Sequence, residues 1–119
     1  MRGLTIIVAD AAPERFRTAL SIAAAQAALG GGARLFLQGA AVALLRGGEV
    51  PGDAAHAAAG LPALALLLEE ALALGVTLVA CQSGLHLAGL DAASLDPRIE
   101  QGGLVSLLQG LGDDRLLCA

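Results

Sequence analysis

The stretch GLTIIVAD, Gly3 to Asp10, is a continuous apolar run rich in β-branched residues, with no regular polar alternation. A strand that faces water on one side alternates apolar and polar residues. A run without that alternation suits a strand buried on both faces, and such strands belong to parallel sheets with helices packed above and below. The run therefore requires helices elsewhere in the chain to cover it, in a strand-helix-strand order. The next residues meet this demand. Pro13 suits a first helical turn, where its missing N–H is no loss, and Glu14 lies where the positive end of the helix dipole favours an acid. Phe16, Leu20, Ala23 and Ala27 then share one helical face, with Glu14, Arg17 and Gln26 elsewhere on the wheel. Gly30 to Gly32 stop the helix.

The alternation continues. ARLFLQG, Ala33 to Gly39, reads as a second strand and AAVALLR as a helical segment ending at Arg46. Gly47 to Leu61 has turn chemistry at both ends and an alanine-rich middle, which predicts a long loop with one helical turn. Pro62 opens the clearest helix, PALALLLEEALAL, and Gly75 closes it. Val76 to Ala80 is a third strand, and Cys81 is the first residue after it. A short helix is expected within Gly84 to Leu90. DAASLDPRIEQGG reads as a polar loop, with Pro97 breaking any regular element. Gly103 to Leu111 predicts a last helix, and DRLLCA a last strand. Residues 1–119 form one domain on this reading, of the α/β class with a parallel sheet covered on both faces.

Composition narrows the function classes. With two Phe and no Trp or Tyr, the core is built from Ala, Leu, Val and Ile, and there are no exposed rings for base stacking. The seven basic residues are all Arg against eleven acids, a net charge of −4, which argues against a surface that tracks nucleic-acid phosphates. Mean hydropathy is high, at +0.73. Even so, Glu69 and Glu70 interrupt the longest apolar stretches, and the uncharged run after them holds Gln82, Ser83, His86 and three glycines. A spanning helix needs about 20 consecutive apolar residues, so no membrane association is expected. No basic segment followed by an apolar run opens the chain, so a cytoplasmic protein is expected. In a reducing compartment Cys81 and Cys118 read as free thiols. The apolar content of 56% exceeds what one small core hides, which predicts burial against another subunit.

Ligand crevices of open α/β sheets lie beyond the carboxyl ends of the strands. Three segments answer to that place: Asp10 to Pro13, Gln38 with Gly39, and Cys81 to Gly84. Only the last offers a nucleophile. A thiolate is stabilised by backbone amides aimed at the sulfur, and Gly84 permits a tight turn that would direct the amides of Gln82, Ser83 and Gly84 there. The side chains of Gln82 and Ser83 add donors, and His86 is a further source of a proton or positive charge. The plain alternative is that Cys81 is a small buried hydrophobe, as free cysteines often are. Cys118 is expected to pack. No close pair of Cys or His has zinc-ligand spacing, and His56 reads as a loop residue with Asp53 able to sit beside it. GGGARLF follows a helix and precedes a strand, the reverse of the order in a phosphate loop.

The segments LTIIVADAAPERFRTAL, ARLFLQGAAVALL, LPALALLLEEALALGVTLVACQSGL and GGLVSLLQGLGDDRLL together resemble the DsrE-like family, which includes the sulfur-relay proteins DsrE, DsrF and TusD. The resemblance covers nearly the whole chain. It implies a three-layer α/β/α sandwich around a mainly parallel five-stranded sheet. Four strands are read above, so a fifth is expected within Gly47 to Leu61 or near Leu85 to Leu90. It also implies a homo-oligomer, a trimer or hexamer, and a cysteine at the position of Cys81 that carries persulfide sulfur between donor and acceptor proteins, with no metal and no cofactor. Two other readings remain open. One is a non-catalytic module holding a small anion or metabolite at the strand ends; the other is a redox sensor through a Cys81–Cys118 disulfide.

Overall fold

In the computed structural model, which describes all 119 residues, strands β1 (Leu4–Val8), β2 (Ala33–Leu37), β3 (Thr77–Cys81), β4 (Glu100–Gly102) and β5 (Arg115–Cys118) form one sheet. Their order is β4-β3-β2-β1-β5, and every neighbouring pair is parallel. The helices are α1 (Pro13–Ala28), α2 (Asp53–Ala58), α3 (Leu64–Ala73), α4 (Gln82–Ala88) and α5 (Leu104–Gln109), with short 3-10 helices at Gly39–Leu45 and Ala92–Ser94. This is the expected three-layer α/β/α sandwich.

Side chains alternate across a strand, so the register sorts the sheet into two faces. Ile6, Leu35 and Leu78 share one row with Leu117, and Val8, Leu37 and Ala80 form the next. The residues of these rows on β1, β2 and β3 are wholly buried. Over this face α1 packs on β1 and β2 and against α3, contributing Phe16, Ala19, Leu20 and Ala23 at helical spacing. The opposite face carries Ile7, Phe36, Val79 and Cys81. Its cover is thinner, made of the first 3-10 helix, α4 and α5.

Several expectations are corrected. The fifth strand lies in neither proposed place; it is Glu100–Gly102, inside the segment read as a polar loop. It has only three residues, none β-branched, and its register with β3 runs from Val79↔Glu100 to Cys81↔Gly102. Backbone pairing at a sheet edge needs no apolar pattern, and short charged edges resist further pairing. Arg17 and Gln26 are buried, although the helical wheel sets them off the core face. Gln26 Nε2 donates to the Arg2 carbonyl at 2.8 Å, and Arg17 is covered by α2 and its flanks. The segment after β2 winds as a 3-10 helix, and α3 begins at Leu64 rather than Pro62. No helix is long and apolar enough to cross a membrane.

Candidate functional site

Cys81 is both the last residue of β3 and the N-cap of α4. Its backbone is extended, as an N-cap requires, and the helix starts at Gln82 with no intervening loop. The side chain fills the role a Ser or Asp usually takes: Sγ accepts from the Gly84 N–H at 3.4 Å. Cys81 as a residue is 7% exposed.

Gly84 serves a different purpose from the expected turn. It lies within the first turn of α4, and a Cβ added there would stand 2.4 Å from the Gly39 carbonyl oxygen. Glycine is required because the backbones of α4 and the 3-10 helix touch at this point. The same contact fixes the amide that faces the sulfur.

The other expected contributors are placed as follows. Gln82 and Ser83 are exposed, and neither side chain bonds the thiol. Asp10 is exposed; its Oδ1 accepts from the Ala12 N–H at 3.1 Å and its Oδ2 lies 4.0 Å from Arg15 Nε, so it shapes the turn into α1. Gln38 stands one step beyond the last paired rung, Leu37↔Ala80, beside Cys81 in the register of β2 and β3. Its N–H donates to the Val8 carbonyl at 2.9 Å, while its Oε1 is buried with no hydrogen-bond partner. The structure therefore brings Cys81, Gly84 and Gln38 to one end of the sheet and leaves Asp10 and His86 on the surface. Arg46 reaches α4 at its other end, where Nη2 donates to the Ala88 carbonyl at 2.6 Å.

Cys118 lies on the edge strand β5, with β1 and β2 between it and β3. Three interstrand spacings put the two cysteines about 14 Å apart, and a disulfide needs Cα atoms within about 7 Å. The disulfide-sensor reading within one chain is thereby excluded.

A second polar cluster escaped the sequence reading. The Arg17 guanidinium is buried; it donates to the Pro62 carbonyl at 3.1 Å and pairs through Nη2 with Asp53. Asp53 Oδ1 also accepts from the Leu64 N–H at 3.0 Å, capping α3 from outside its own helix. His56 does not sit with Asp53. Its Nδ1 lies 2.8 Å from the Gly52 carbonyl and its Nε2 3.7 Å from Glu14. Glu14 and Arg17 stand three apart on α1, a spacing visible in the sequence. Nothing local announces a partner 36 residues away.

No family model matches the sequence, and no curated protein sequence matches it. Among solved structures, the YchN protein from E. coli superposes with a TM-score of 0.72 at 26% identity, over 100% of both chains. A conserved protein of unknown function from Bacteroides thetaiotaomicron gives 0.71 at 20% identity, over 98% of this chain and 94% of that one. A protein of unknown function from Methanobacterium thermoautotrophicum gives 0.69 at 13% identity, over 100% of each. Over its whole length the chain thus has the α/β fold of these small proteins.

Proposed function

We propose that this protein is a DsrE-like sulfur carrier in which Cys81 accepts sulfane sulfur from a donor protein's persulfide and passes it to an acceptor thiol. The observation that carries the reading is the Gly84 N–H on Cys81 Sγ, at the carboxyl end of a parallel strand. A fixed donor aimed at the sulfur favours negative charge there, which both attack and departure require.

In the loading step the Cys81 thiolate attacks the outer sulfur of the donor persulfide. A new S–S bond forms, the donor's S–S bond breaks, and the donor leaves as its thiolate. Unloading repeats the exchange, with the acceptor thiolate attacking and Cys81 as the leaving group. The sequence is redox-neutral and uses neither metal nor organic cofactor. In this reading the chain works as a homo-oligomer, a trimer or hexamer.

A second reading, a binding module with Cys81 lining its pocket, is favoured by the buried Gln38 Oε1, which lacks a donor. Buried acceptors are usually paired, so a ligand N–H or O–H is a natural complement. Intact-mass measurement separates the two after incubation with glutathione persulfide, in a Cys118→Ser background. The carrier gains one sulfur mass, and Cys81→Ala gains none. Absence of added mass on Cys81, or equal gain by the variant, defeats the carrier reading.

A further inference from the structure

Two hydrogen-bond acceptors face each other where α1 meets α2. His56 Nδ1 lies 2.8 Å from the Gly52 carbonyl oxygen, which can only accept, so Nδ1 carries the ring proton and the neutral ring presents Nε2 as a bare lone pair. That lone pair stands 3.7 Å from Glu14 Oε2. A protonated ring would draw the carboxylate in to about 2.7–2.9 Å, so the gap is that of two acceptors with no donor between them. Glu14 is held in place from its other side. Its Oε1 lies 3.5 Å from Arg17 Nε and so close over Gly52 that a Cβ added there would stand 2.8 Å from it.

Glu14 and His56 both line a cleft of ≈ 530 Å³ between α1 and the chain that links α2 to α3. The volume is in the range of small-molecule sites. Thr18 and Ser21, on the same stripe of α1, offer acceptors too: each spends its hydroxyl proton inside the helix, on the Glu14 carbonyl at 3.1 Å and the Arg17 carbonyl at 2.9 Å. Arg17 is the one cation of the lining, and it is committed. Its side chain is 5% exposed; Nη1 donates to the Pro62 carbonyl, Nη2 pairs with Asp53, and Nε is buried next to Glu14. The carboxylates of Glu14 and Asp53 against this single guanidinium leave a local charge of −1. Further along α1 the walls turn apolar. Ile22, about 12 Å beyond Glu14 on the helix axis, lines the cleft with Leu61 and Leu67.

We propose that this cleft is a binding site for a small organic ammonium ion with an apolar body. An ammonium brings three donors and the missing positive charge, to be shared among Glu14 Oε2, His56 Nε2 and the Thr18 hydroxyl oxygen, while the body lies along Ile22 and Leu67. An anion would add to the −1 and find no free side-chain donor. Cys81, Gly84 and Gln38 are absent from the lining, so the site stands apart from the thiol and does not depend on the carrier reading.

Phenethylammonium is the test ligand, titrated at about pH 7.5, where an ordinary imidazole is mostly neutral. Saturable amide NMR shifts are expected in residues 14–25 and 56–67. Phenethyl alcohol has the same shape without the charge and should bind at least tenfold more weakly. Phenylacetate, which the positive end of α1 would favour if Glu14 were not there, should not bind. Glu14→Gln should weaken phenethylammonium at least tenfold and leave the thermal midpoint in place, since the Glu14 side chain is 66% exposed. Shifts that do not saturate or lie elsewhere, equal binding of the alcohol, tighter binding of phenylacetate, or parent affinity in Glu14→Gln each overturn the site. Should the variant fail to fold, the ranking of the three ligands on the parent protein decides alone.

Discussion

At position 84 the fold has no room for a methyl group. A Cβ would meet the Gly39 carbonyl oxygen at 2.4 Å and its carbonyl carbon at 3.0 Å, both backbone atoms that no rotamer change can move. Gly84→Ala must therefore push α4 away from the 3-10 helix, and overpacking of this kind costs about 1–3 kcal/mol. Thermal unfolding should show a drop of several degrees, together with faster Cys81 alkylation as the capping amide shifts. Gly32→Ala is the control: nothing lies within 4 Å of its added Cβ and its backbone is not left-handed, so its midpoint should stay put. Equal midpoints for Gly84→Ala and the parent protein would show that the contact is not tight. This residue also marks what was legible. Cys81 could be located because strand ends are readable from a β-branched run and the turn residues that follow. The reason for the glycine three residues later lies in another element, and local sequence offered only a turn to explain it.

Strands β1, β2, β3 and β5 announce themselves in apolar composition; β4 does not, because its backbone pairing with β3 needs no apolar pattern. Side chains near its start add a fastening. Arg98 donates to Asp96 Oδ2 at 2.7 Å and to Glu69 Oε2 at 2.5 Å, tying the turn before β4 to α3. The Arg98 side chain, helped by its backbone N–H, holds the Asp96 carboxyl down at about 2, against an ordinary value of 3.8. The sign follows directly. A folded-state value below the unfolded one stabilises the fold wherever the carboxyl is ionised, so the contribution is complete above pH 3.8 and is lost as pH falls through about 2. Both groups are exposed, so the effect on global stability is small and local measurement suits it. In an NMR titration the Asp96 carboxyl carbon should turn over near pH 2, and in Arg98→Gln it should return toward the ordinary value. A parent midpoint near 3.8 would remove the fastening. The same blindness to distance hid the Arg17–Asp53 pair: a helical wheel sets Arg17 toward water, and only the path of the segment after Arg46 encloses it.

Across the whole molecule the two sides of the sheet are unequally covered. The sixteen-residue α1 and ten-residue α3 seal one face, whereas α4 and α5, of seven and six residues, share the other with a 3-10 helix. On that thinner side Leu87 of α4 is 85% exposed and Val105 of α5 73%, and Leu108 is exposed beside a buried Leu107. Short helices cannot turn every apolar residue inward, and a chain that is 56% apolar has few polar residues with which to finish the surface. The proposed homo-oligomer resolves this if its contacts use the thinner side. A standard interface buries about 800 Å² per partner, roughly an eighth of the 6253 Å² this chain exposes. Light scattering at tens of micromolar should therefore return a multiple of the 11.7 kDa chain mass. Leu87→Glu with Val105→Glu should bring it to that of one chain while the circular dichroism keeps its α/β form, since neither side chain contributes to the core. A monomeric parent protein would end the oligomer proposal, and a double variant of unchanged mass would move the interface to another face. Because α4 also bears Cys81 at its N-cap, dissociation should leave sulfur uptake by the thiol possible and change only which surfaces surround it.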